Sequence, residues 1–223
     1  MRYPCLILDH DDTVVNSTAT IHFPSFVEYL KEARPGRSYT LEEYFRKNFD
    51  PGIFDFFSKE LALTPQEMEE EFEFWRAYVK DRVPEAYPGM RELLWRHKTA
   101  GGQIAVVSHS YADNIRRDYE ANGLPQPDYI YGWEQPEERR KPHVWPIEEL
   151  MRQTGLPADA LLMIDDLKPG YDMCRAAGVA FAAAGWANDV PEIEAFMRRN
   201  CDYYFKTVAE LAEFWQRVNG KTE

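Results

Sequence analysis

The apolar positions of this chain fall into two textures, and the change between them divides it. Cys5-Leu6-Ile7-Leu8 is a short apolar run that stops at Asp9-His10-Asp11-Asp12, and a run of that length with a polar stop predicts a buried strand. Beyond it the spacing turns helical. Phe23, Phe26, Val27 and Leu30 recur at i, i+3, i+4 and i+7, which predicts an amphipathic helix over 21–33 ended by Arg34-Pro35-Gly36. Thr40-Leu41-Glu42-Glu43 and Thr64-Pro65-Gln66-Glu67 read as capping boxes, each opening a helix. The second helix carries Phe72, Trp75 and Val79 along one face, a stripe expected to pack, and a short aromatic helix is expected around Phe54 and Phe57. No strand pattern occurs between Val15 and Ala100. Residues 16–84 are therefore expected to form an all-helical unit inserted after the first strand, with 85–87 as the return linker and 1–15 plus 88–223 as the core.

In the second texture strand and helix alternate. Gln103 to Ser108, Tyr129-Ile130-Tyr131, Leu161-Leu162-Met163-Ile164, Val179-Ala180-Phe181 and Tyr203-Tyr204-Phe205 read as strands. Helices are expected between them over 90–99, 113–122 and 145–154, then one stopped by Gly178, one opened by Asp189-Val190-Pro191-Glu192, and a terminal one opened by Thr207-Val208-Ala209-Glu210. Repeated βα units predict the α/β class: a doubly wound, Rossmann-like parallel sheet with helices on both faces.

Composition narrows the partners. A formal net charge of −12 argues against nucleic acid or an anionic membrane surface, both of which need a positive footprint. No apolar run approaches spanning length, and Met1-Arg2-Tyr3-Pro4 leads into the first strand without a signal-peptide pattern, so a cytoplasmic protein, monomer or small homo-oligomer, is expected. Cys5, Cys174 and Cys201 are far apart and lack a CxxC or a nearby histidine, so neither zinc nor a disulfide framework is expected.

The chemistry concentrates at strand ends. Asp9 and Asp11, two apart in an extended backbone, face one side while His10 faces the other. Like charges held that close call for a bound cation or for an acid/base pair with separated pKa values; a strand ending in solvated turn carboxylates is the plainer alternative. Ser108 ends the second strand, Asp165 and Asp166 end a later one, and Lys141 precedes a helix start. In a doubly wound sheet these ends share one edge, which brings residues a hundred positions apart into one crevice.

On these residues the chain resembles the haloacid dehalogenase-like hydrolase superfamily, in the subgroup with a helical cap after the first strand and the β-phosphoglucomutase/phosphoglycolate phosphatase-like branch. Asp9-His10-Asp11-Asp12-Thr13 matches its Asp-x-Asp-x-Thr motif, Ser108 the hydroxyl motif, Lys141-Pro142 the lysine motif, and Asp165-Asp166-Leu167-Lys168-Pro169-Gly170, followed by Ala176-Ala177-Gly178, the acidic motif. Asp12 stands where that branch has glycine, and His109 where asparagine often follows the hydroxyl. The resemblance implies phosphoryl transfer, with Asp9 as nucleophile and Asp11 as acid/base, its pKa raised toward neutrality. It implies Mg2+ held by Asp9, the Asp11 carbonyl, Asp166 and Asp165, because that many carboxylates around a phosphate repel without a cation. Ser108 and Lys141 would bind the phosphoryl oxygens. Asp12 is expected to serve the phosphate loop through its backbone N–H with its side chain turned away, a metal contact being the other reading. For His109, substrate contact and loop packing both stand. The implied function is a magnesium-dependent phosphatase acting on a small phosphorylated metabolite; a sugar phosphomutase and a non-catalytic phospholigand-binding domain are the alternatives. Arg46, Lys47, Arg76 and Arg82 are candidates to grip the leaving group, with a solvated face as their other role, and hinges are expected at Val15-Asn16-Ser17 and from Pro84 to Gly89.

Overall fold

The structure, a computed structural model, describes residues 1–219. Its centre is a six-stranded sheet in the order β3-β2-β1-β4-β5-β6, formed by β1 (Cys5–Leu8), β2 (Gln103–Val107), β3 (Tyr129–Tyr131), β4 (Leu161–Asp165), β5 (Ala180–Ala184) and β6 (Tyr203–Phe205). Every pairing is parallel. Side chains alternate across the sheet as a period of two requires: Leu6, Leu8, Ile104 and Val106 join one buried cluster, while Cys5, Ile7, Ala105 and Val107 join another. The first cluster is closed by α5 (Met90–Thr99), α6 (Ala112–Ala121) and α10 (Val208–Asn219), the second by α7 (Trp145–Thr154), α8 (Lys168–Ala177) and α9 (Pro191–Asn200). Helices thus cover both faces, and the α/β doubly wound architecture follows.

Between β1 and α5 the chain is helical: α1 (Phe23–Ala33), α2 (Leu41–Phe49), the single turn α3 (Ile53–Asp55) and α4 (Pro65–Val79). Thr40 and Thr64 each cap their helix reciprocally with Glu43 and Glu67. These helices enclose their own apolar cluster around Phe26, Leu30, Tyr44, Phe56 and Phe57. α2 also reaches the sheet domain, since Phe45 and Phe49 belong to the cluster of α7 to α9. The outgoing and returning strands of chain are tied together: Asn16 N–H donates to Glu85 at 2.9 Å and Tyr87 N–H to Val14 at 3.0 Å.

Two elements differ from the sequence reading. The helix expected from residue 21 is preceded by a wide π-type turn, Thr18–His22, because Pro24 donates no backbone hydrogen bond and α1 starts around it. β5 runs through Ala182, Ala183 and Ala184, where a strand was expected to stop at Phe181; alanine is a poor strand former, and pairing with β4 and β6 overrides that preference. Among the described residues no helix is long and apolar enough to cross a membrane.

Candidate active site

Asp9 follows the last residue of β1 and extends its ladder, its N–H donating to Ile164 O at 2.9 Å. β4 lies beside β1 in register, so its final residue Asp165 and the following Asp166 arrive at the same edge. One oxygen from each of Asp9, Asp165 and Asp166 lies within 4.8 Å of the others, and all three residues are buried. Lys141 is buried as well, with Nζ 2.8 Å from Asp165 Oδ2 and 2.9 Å from Asp9 Oδ1, the latter an ion pair without hydrogen-bond geometry. Asp165 also accepts from Leu167 N–H at 2.8 Å, and α8 approaches it so closely at Gly170 that a Cβ there would lie 2.1 Å from Asp165 Oδ2.

The charges do not balance locally. Burial pushes the Asp166 carboxyl well above the usual carboxylate range, and Asp12, Asp165 and Asp9 push it further. Asp165 is raised to about 7 by burial, with Lys141 working against the shift. Burial works against the charge on Lys141, yet Asp165 and Asp9 more than reverse this and hold it as an ammonium. Three buried carboxylates facing one ammonium, with hard oxygen donors converging, fit a divalent cation of the magnesium type.

Asp11 turns away from that group. Its Oδ1 faces His22 Nε2 at 3.0 Å, and its Oδ2 accepts from the Ser110 hydroxyl at 2.6 Å. Trp75 Nε1–H donates to His22 Nδ1 at 3.0 Å, so in the neutral ring the proton sits on Nε2 and is donated to Asp11. Burial raises the Asp11 carboxyl, but the charge and hydrogen bond of His22, followed by Ser110, hold it well below the usual range. This corrects the expectation of a raised pKa: the neighbours that dominate are donors, not carboxylates. It also leaves the Asp11 carboxylate outside the metal-type cluster.

Asp12 corrects a second expectation. Its N–H donates to Val15 O at 2.7 Å and is not free for a phosphate, while its buried carboxylate accepts from Thr18 N–H at 3.0 Å. Its φ of 58° is the left-handed conformation that glycine adopts most easily. Ser108 is buried, its Oγ accepting from Ser110 N–H at 3.1 Å. His109 Nε2–H donates to Lys141 O at 2.9 Å, and burial, with Lys141 next, lowers its pKa to about 4. It is therefore a neutral ring that holds the backbone of Lys141 while also facing the cavity. His10 faces the opposite way, against Asp118 of α6 at 3.0 Å.

Above Asp9 lies a cavity of about 200 Å³ between the sheet edge and the helical segment. Asp9, Asp11, Asp166, Ser108, His109 and Lys141 form its floor. Phe72 and Trp75, expected to pack, line its roof, because α4 lies over the sheet edge and turns that stripe toward the opening. Arg46, Lys47, Arg76 and Arg82 do not line it: Arg46 pairs with Glu42 and Glu192, Lys47 with Glu60, and the two other arginines stack on Tyr111 and Tyr78. His22, Ser110, Glu71 and Trp133 were missed by sequence reasoning. Only Ser110, two residues beyond Ser108 with the same outward phase, carried a local signal.

Residues 6–184 match the family model described as haloacid dehalogenase-like hydrolase. A phosphoglycolate phosphatase of Mesorhizobium japonicum is 23% identical over 99% of this chain and 100% of its own length. Among solved structures, a haloacid dehalogenase-like family hydrolase of Streptococcus pneumoniae superposes with a TM-score of 0.77 at 17% identity, covering 96% of this chain and 99% of its own. A HAD family hydrolase of Deinococcus radiodurans, solved with bound phosphate and sodium, gives a TM-score of 0.72 at 20% identity over 98% of this chain and 97% of its own.

Proposed function

The chain belongs to the haloacid dehalogenase-like hydrolases, and from that premise we propose that it is a magnesium-dependent phosphatase that hydrolyses a small phosphorylated metabolite through an aspartyl-phosphate on Asp9. The observation that carries this reading is the junction of Asp9, Asp165, Asp166 and Lys141 under one cavity. The phosphatase named among its relatives and the phosphate bound by a structural neighbour support it.

Asp9, Asp165 and Asp166 would hold the magnesium ion, which when bound offsets the negative charge of carboxylates and phosphoryl group together. Lys141 places a fixed ammonium beside the Asp9 carboxylate, and Ser108 adds a hydroxyl on the same floor. Asp9 attacks phosphorus in line, the bond to the leaving oxygen breaks, and the phosphoryl group rests on Asp9. Asp11, oriented by His22 and Ser110, stands two residues on as the group that passes protons. It begins as a carboxylate, so the proton for the leaving oxygen comes with the substrate: a phosphomonoester has a second pKa of about 6 and arrives partly as the monoanion. Water then yields a proton to Asp11 as it attacks phosphorus, releasing phosphate and restoring Asp9, and Asp11 gives that proton up to solvent before the next turnover.

Free-phosphate release over a panel of phosphomonoesters with magnesium tests the proposal. Asp9→Asn is expected to lower release by about 10³-fold or more while circular dichroism stays unchanged. Release by the variant at the native rate, or from no phosphomonoester with the native protein, rejects it.

A further inference from the structure

The walls of the cavity indicate what accompanies the phosphoryl group. Its basic side chains are already engaged: Lys141 by Asp9 and Asp165, His109 by the Lys141 carbonyl, and His22 by Asp11 and Trp75. No arginine and no second lysine lines the cavity among the described residues; Arg140 stacks on Trp133 from the adjoining cavity, 3.8 Å from the ring centroid. Aromatic rings line the cavity above Asp9 instead: Tyr44, Phe57, Phe72 and Trp75 from the helical segment and Trp133 from the loop after β3. One carboxylate stands among these rings, apart from those of the floor. Glu71 lies on α4 one turn before Trp75, is half-buried, and has no hydrogen-bond or ion-pair partner among the described residues; burial pushes its carboxyl up to about 7, with only the charge of His22 opposing.

A leaving group bearing a carboxylate or a second phosphate would face Glu71 with no unpaired cation lining the cavity to offset it, and like charges juxtaposed in a desolvated site repel strongly. An ammonium would meet ring faces that attract cations and a carboxylate to pair with. The cavity volume of about 200 Å³ is below the range of about 300–1,000 Å³ that suits drug-sized ligands, and an adjoining cavity of about 660 Å³ shares His109, Trp133 and Lys141 with it, so the part of the leaving group held beside Glu71 is small. We propose that the site selects phosphomonoesters of small amino alcohols, with Glu71 as the residue that sets the preference for a positive over a negative leaving group. For turnover this rests on the phosphatase reading; for binding it does not.

The test uses phosphonates of matched length, which bind without being hydrolysed: 3-aminopropylphosphonate, butylphosphonate and 3-carboxypropylphosphonate, titrated with magnesium against the fluorescence of Trp75 and Trp133. The ammonium compound is expected to bind about tenfold more tightly than the carboxylate, with butyl between them. Glu71→Gln should bring the two charged compounds within about twofold, and Glu71→Lys should reverse their order. A carboxylate compound that binds native protein as tightly as the ammonium one, or a gap that survives Glu71→Gln, overturns the proposal. Phosphate release from the three corresponding esters is measured in parallel. Absence of release from all three counts against the hydrolase reading alone, while the binding order still decides the charge preference.

Discussion

Asp12 is the residue at which local preference and surroundings conflict most. It holds a left-handed backbone at φ 58°, and burial raises its carboxyl to about 7 although Thr18 N–H donates to it. Asparagine tolerates that backbone and keeps the acceptor for Thr18, but removes a charge that pushes Asp166 in the same direction. Asp12→Asn is therefore expected to raise the melting temperature of metal-free protein at pH 8 by about 2–4 °C, the shift that roughly 1 kcal/mol produces in a chain of this size. An unchanged or lower value in thermal unfolding would mean that the carboxylate has a compensating role. Ser110→Ala removes the 2.6 Å hydrogen bond to Asp11 and should lower kcat about tenfold with little change in KM, whereas a purely structural role would show in the melting temperature alone. The residues at strand ends were legible in the sequence because an apolar run that stops at carboxylates or a hydroxyl marks its own functional edge. His22 left no such trace: its meaning depends on Trp75, fifty-three positions away, reaching its second nitrogen.

At the scale of elements, the helical insert carries its own core, and this separates two ways of losing structure. Phe26 is 1% exposed and stacks or tilts against Tyr44, Phe56 and Phe57. Phe26→Ala should cost about 3–5 kcal/mol, and hydrogen exchange should show α1, α2 and α4 losing protection while β1, β2 and β4 keep theirs. Equal loss in both would mean that insert and sheet unfold as one. α5 makes a different prediction. His97 is fully buried, donating from Nε2 to Gln103 O and accepting at Nδ1 from Trp215 of α10, both at 3.0 Å, and burial lowers its pKa. The unfolded chain therefore takes up a proton near pH 6.5 that the native ring refuses, so stability contributed by neutral His97 is present above pH 6.5 and lost as pH falls below it. His109 acts in the same direction and His22, raised by Asp11 against its burial, in the opposite one, so the variant-minus-native difference isolates His97. The urea midpoint of His97→Gln should fall less than that of native protein between pH 7 and 5. Helix starts at Thr40 and Thr64 were legible because a capping box is a local device; the alanine end of β5 was not, because its strand state comes from its neighbours in the sheet.

For the molecule as a whole, alternation of strand and helix foretold the sheet, but not the placing of the insert over its edge. An aromatic stripe such as Phe72 and Trp75 reads the same whether it meets a core or roofs a cavity. That placing encloses the three carboxylates with Lys141 as their sole buried ammonium among the described residues, in a chain that already carries a net charge of −12. Salt screens the exposed part of this excess and reaches the buried part far less. Magnesium should therefore stabilise the protein by binding and not by screening. At a concentration of 100 Kd the gain is about 2.7 kcal/mol, which corresponds to roughly 5–10 °C in melting temperature for a chain of this length. Sodium chloride at equal ionic strength should give only a small part of that shift. Asp166→Asn, which removes a donor without emptying space, should raise the midpoint of metal-free protein and abolish the magnesium response together. If the two salts shift native protein equally, the carboxylates of Asp9, Asp165 and Asp166 do not act as one site.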